Sequence, residues 1–139
     1  MVLTTFLLIN FNAQIIAKNS HSLAKKNQAV QFALKRISPN TDFSVDSLGR
    51  CLGWSGYRTL FIQHGRIPAK SYLDELFGSW LYPIELTNET TQRQIFFVDH
   101  EPHPFDAKTQ EKYDRVKNSA ITSHRFGAIE VFVANQLPP

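Results

Sequence analysis

Five of the six glycines fall between Phe43 and Gly78, so no long helix or strand can cross the middle of this chain. Glycine admits the left-handed backbone that ends helices and turns corners, and it weakens any element that contains it. The stretch is expected to break into three short helices, about Val45–Leu52, Gly56–His64 and Ser71–Phe77, with Gly53 and Gly65 as stops. Longer elements are left to the flanks. Leu7, Ile9, Phe11, Ala13 and Ile15 alternate with Leu8, Asn10, Asn12 and Gln14, which is the period of a half-buried strand. Asn19–Ser22 offers caps for a helix striped by Leu23, Val30, Leu34 and Ile37. Ser38-Pro39 ends it, because a residue before proline avoids the helical region. Tyr82–Leu86 and Gln94–Asp99 read as a hairpin with a polar tip. Asp106 can cap a helix to about Ser119 built on Tyr113, Val116 and Ala120, and Ala128–Ala134 alternates once more.

With 139 residues, the chain has room for one domain, or one small domain with an appendage. Hydrophobic residues at 42% and charged residues at 19% exclude a disordered chain. Cys51 is the single cysteine, which excludes an internal disulfide and a cysteine-based zinc cluster and favours a reducing, cytoplasmic location. No Lys or Arg precedes Lys18, and Asn10, Asn12 and Gln14 interrupt the apolar start, so neither a secretory signal nor a membrane span is expected.

Charge is unevenly spread. Residues 1–70 hold nine Lys and Arg against Asp42 and Asp46, a net +7, while residues 71–139 hold six against ten acids, a net −4. Such asymmetry points to a basic face for a polyanion, although solvated charges clustered by chance give the same count.

Residues 43–68 have the grammar of a helix-turn-helix. A first helix ends at Gly53, Trp54-Ser55 forms the turn, and Ser55 caps a second helix from Gly56. Leu48, Leu52, Leu60 and Phe61 would supply the core between the two helices. Tyr57, Arg58, Thr59, Gln63, His64 and Arg66 would then face the major groove, where Arg reads guanine and Gln reads adenine. Lys25, Lys26, Lys35, Arg36 and Lys70 are placed on phosphates, and the hairpin to Asp99 would be a wing contacting DNA through Arg93. Trp54, Tyr57 or His64 packed in an ordinary core is the competing reading.

Phe43-Ser44-Val45, Leu48, Leu52-Gly53-Trp54-Ser55, Arg58-Thr59-Leu60 and Gly65-Arg66-Ile67-Pro68 resemble the winged helix-turn-helix of the MerR and excisionase-like regulators. The resemblance implies a dimeric DNA-binding protein, usually a transcription regulator, with the Gly56–His64 helix as reader. The motif lies mid-chain and no long C-terminal helix follows it, so only the DNA-reading surface is carried over.

A rival signal sits in the acidic half. Asp99-His100-Glu101-Pro102-His103 sets imidazoles beside carboxylates after a strand, with Asn118 and His124 downstream, faintly similar to a metal-dependent HNH-type nuclease. A non-enzymatic protein-interaction module is the third reading. The expectation is an α+β protein with a winged helix-turn-helix core and a second small antiparallel sheet made by the N- and C-terminal strands. Its segments would be 1–40, 41–99 (DNA-binding) and 100–139 (dimerisation). It would be a cytoplasmic, dimeric, non-enzymatic regulator of transcription, more a repressor than an activator, binding double-stranded DNA with no cofactor and no metal.

Overall fold

At the centre of the chain the strand period wins over the helical one. The computed structural model describes residues 22–49, 56–71, 91–100 and 104–135. Phe43–Leu48 forms a strand, β1, where the start of a helix is expected. β1 runs parallel to β2 (Lys70–Ser71) on one edge and to β3 (Arg93–Asp99) on the other. Phe43 and Val45 enter the core on one face and Leu48 on the opposite face. A helix this short gains little by itself, whereas a strand here gains ladder bonds on both edges and apolar contacts on both faces. The first helix of the expected helix-turn-helix is thus corrected to a strand over its described part, and Ser71 of the third expected helix belongs to β2.

The same pairing removes the wing. β3 is in register with β1 from Phe43↔Arg93 to Leu48↔Val98, and with β5 (Ile129–Asn135) from Arg93↔Asn135 to Asp99↔Ile129. Both of its edges are occupied, so it has none left for the expected hairpin; Tyr82–Leu86 lies outside the described residues. β5 in turn lies between β3 and β4 (Ala120–Phe126), giving the order β2-β1-β3-β5-β4. The C-terminal strand is therefore an interior strand of a five-stranded mixed sheet and not part of a separate one. The N-terminal run Leu7–Ile15 lies outside the described residues. β4 itself is unforeseen. It joins β5 through a two-residue turn opened by Gly127, whose φ of 67° suits such a hairpin.

Three helices lie among the described residues. In α1 (Leu23–Leu34) the Ser22 hydroxyl accepts from the Lys25 amide, and Ala29, Val30 and Ala33 meet the sheet. Leu23, expected on the buried stripe, is 70% exposed; small alanines let the helix approach instead. α2 (Tyr57–Gln63) starts from Gly56, which stands at the cap position with φ 70°. Ser55 lies outside the described residues. α3 (Ala107–Ser119) begins as expected, with Asp106 accepting from the Thr109 amide at 2.8 Å.

α1 and α2 pack on one face of the sheet, against Phe43, Val45, Ile95, Phe97, Ile129, Val131 and Val133. α3 packs on the other through Val116, against Leu48, Phe96, Val98 and Phe132. The chain is thus mixed α+β, with helices on both sides of its sheet. The first core draws on all three expected segments.

β1 leaves the sheet at Gly49, where φ is 116° and a Cβ would lie 3.0 Å from both Asp99 Cβ and Asp99 O. Only glycine holds that backbone without strain while passing so close to the end of β3. Gly49→Ala should lower the unfolding free energy by about 1–3 kcal/mol. A urea titration gives the check; an unshifted midpoint would show that the passage is not tight.

Candidate nucleic-acid interface

α2 faces inward. The Tyr57 ring stacks on Phe97 with centroids 4.0 Å apart at 21°, and Phe61 meets Phe43 at 5.3 Å. Tyr57, Arg58, Leu60 and Phe61 are buried. Each large apolar side chain released to water would cost about 1.5–3 kcal/mol. Three together would consume much of the roughly 5–15 kcal/mol that holds a domain folded. Tyr57 and Arg58, expected in the groove, are therefore corrected to core positions, and Thr59 beside them is half-buried. Full exposure begins at the far end of α2, with Gln63 and His64.

That end joins α1. His64 Nε2 donates to Asn27 Oδ1 at 2.7 Å. Lys25 and Lys26 directly precede Asn27 in sequence and are half-buried, with the Lys26 ammonium 5.8 Å from the Tyr57 ring centroid. Lys35 and Arg36 stand exposed at the other end of the helix. α1 contains no acid at all. In residues 22–71, Asp42 and Asp46 are the two carboxylates, and Asp46 is drawn to the opposite face by Lys112 Nζ at 2.9 Å. The helical layer is therefore opposed by Asp42 alone within that stretch.

Further cations gather where β1 enters the sheet. Arg66 Nη2 donates to Ser38 O and Thr41 O, each at 3.2 Å, with its guanidinium 5.4 Å from the Phe43 ring centroid. Lys70 is in register with Ser44, and Arg93 with Phe43. Arg93 Nη1 also donates to Asn135 Oδ1 at 2.6 Å. Of the expected contact residues, the structure brings Arg66, Lys70 and Arg93 to this amino end of the sheet. It sets Lys25, Lys26, Arg36, Gln63 and His64 on the helical layer.

The opposite end has different chemistry. Glu130 Oε2 accepts from His100 Nε2 at 2.6 Å and from the Tyr113 hydroxyl at 3.1 Å. Burial pushes the Tyr113 phenol up from its ordinary range; the Glu130 charge and the hydrogen bond to it add to the rise. Asp99 points to the other face of β3, in register with Ile129 of the first core, and is itself buried. Consecutive strand residues face opposite ways, which separates the Asp-His pair of the nuclease reading. His124 lies beside Phe32, on the α1 side, while Asn118 is exposed near the end of α3. Among the described residues no group of three His, Cys, Asp or Glu side chains could hold a metal ion. Glu101 and His103 lie outside them.

Glu130, Tyr113 and the aromatic side chains around His124 were not singled out as site residues from the sequence. The signal for them was Gly127-Ala128 between two strand-like runs, which pairs Arg125 with Glu130 and Phe126 with Ile129 once read as a hairpin. A phenol whose pKa is raised by folding adds stability below its unfolded pKa of about 10, and that stability is lost as pH climbs through the folded value. The stability gap between the native chain and Tyr113→Phe should thus narrow as pH rises above about 10. Urea unfolding across that range measures it, and a gap that stays constant or widens would contradict the bond to Glu130.

No helix among the described residues is long and apolar enough to cross a membrane. Comparison of the chain with protein-family models, with curated proteins and with solved structures finds no match.

Proposed function

We propose that this chain is a non-enzymatic protein that binds double-stranded DNA through the cations at the two ends of α1 and the turn after α2. Its role would be that of a transcription regulator occupying an operator. The observation that carries the reading is the acid-free, cationic α1, joined through Asn27 and His64 to the exposed end of α2. Duplex DNA carries one charge about every 1.7 Å of its axis, so a row of Lys and Arg gains by displacing condensed counterions. Lys25, Lys26, Lys35 and Arg36 are the phosphate contacts, with Arg66, Lys70 and Arg93 extending the positive surface around the amino end of β1.

Base reading, in this proposal, falls to Gln63 and His64, because the first turn of α2 is committed to the core. Gln can bond adenine with two hydrogen bonds when its amide reaches the major-groove edge. The helix-turn-helix geometry of the MerR-like family is not part of the proposal, since a strand stands where its first helix would be. A twofold dimer, which a palindromic operator would call for, cannot pair through β5; among the described residues β4 is the open edge on that side.

Affinity for a blunt duplex should fall linearly with salt on logarithmic axes, by about 0.9 in slope for each phosphate contact. Replacing Lys25, Lys26, Lys35 and Arg36 together by Ala should therefore flatten that slope by about 3 to 4. Fluorescence anisotropy across a salt series reads this directly. A slope left unchanged would remove α1 from the interface, and an absence of duplex binding at low salt would remove the function.

A further inference from the structure

We infer that Phe32, Arg36, His124 and Phe126 form a stacking site for an unpaired nucleobase, an inference that rests on the ligand being nucleic acid. The Phe32 and His124 rings lie 5.4 Å apart and tilted by 32°, His124 and Phe126 lie 4.6 Å apart, and Phe32 meets Phe126 at 5.9 Å. The Arg36 guanidinium sits 4.8 Å from the Phe32 centroid. The four residues form one run of flat groups across the boundary between α1 and β4.

Its position distinguishes this run from the other aromatic contacts. The Tyr57, Phe61 and Phe97 rings are fully enclosed. Here Phe32 and Phe126 are only half-buried, each leaning on the first core, and His124 is exposed. An exposed imidazole between two anchored rings adds little to the core. Rings held against an apolar base, with an imidazole and a guanidinium beside them, present π surface and positive charge to the same incoming group.

A nucleobase with its attached phosphate matches both features. Every base has a π face, so stacking on such a platform tolerates any sequence, and Lys35 and Arg36 stand by for the phosphate. The base must be unpaired, because in a duplex both faces are already taken by neighbouring pairs. β4 is the last strand of the described sheet, so an extended strand can run along its border. The site would hold a single-stranded end, bulge or opened segment beside duplex bound by α1.

The test uses the full chain and three probes with equal numbers of phosphates: an oligothymidine strand, an abasic strand and a blunt duplex. The base-bearing strand should bind about tenfold more tightly than the abasic one. His124→Ala, at an exposed position, and Phe32→Leu, which keeps apolar bulk without a flat face, should each erase most of that difference and leave duplex affinity unchanged. Equal affinity for the base-bearing and abasic strands, or a preference that both variants retain, overturns the inference. Loss of duplex binding alone overturns the preceding proposal and leaves this one standing, whereas failure to bind any probe overturns both.

Discussion

Everything in this fold follows from the two-sided confinement of β1. A parallel neighbour on each edge and apolar side chains on each face leave residues 43–48 no alternative conformation that buries as much. Once β1 is a central strand, the chain must pass above the sheet to reach β2, and α2 is the piece that covers that passage. Its Tyr57 and Phe61 fill the space over Phe97 and Phe43. The helix that a sequence motif would place in a DNA groove is thus held down by Phe61 and by Tyr57, a side chain that motif sets on its surface. Its solvent-facing remainder is short, and the cations of α1 and of the amino end of the sheet supply the positive surface instead.

Legibility in the sequence tracked how local the determining interaction is. Ser22 before Leu23 and Asp106 before Ala107 are caps made within three residues, and both helices begin where those residues predict. Ile129, Val131 and Val133 alternate, and a strand follows. β1 was harder, because Ser44, Asp46 and Ser47 dilute its alternation and its strand character depends on β2 and β3, partners more than twenty and forty residues away. β4 was hidden for a related reason. Thr122 to Arg125 face mostly outward, so only the pairing to β5 reveals the strand.

The candidate site was legible as charge and illegible as geometry. A cationic first half is visible from composition; of the residues expected on its binding face, Arg36, Gln63 and His64 are exposed, whereas Lys25 and Lys26 are half-buried. Which face of α2 is buried cannot be read from Tyr57-Arg58-Thr59-Leu60-Phe61, because aromatic and aliphatic residues lie on more than one side of so short a helix. The Asp99-His100 pair misled in the opposite sense. Adjacent in sequence, the two side chains are sent to opposite faces by the pleat, and His100 is engaged by Glu130 from a strand thirty residues on.

The sheet is polar in its chemistry from end to end, with Arg66, Lys70 and Arg93 where the parallel strands begin and Asp99, His100 and Glu130 where they finish. In the proposed function, a polyanion would be steered toward the first end and away from the second. The most direct test is to map backbone amide shifts by NMR while a short duplex is added. Changes are expected along α1 and from Gln63 to Lys70, with Tyr57 and Arg58 and the residues around Glu130 left in place. Changes centred on Tyr57 to Phe61, or on His100 and Glu130, would contradict the proposed interface.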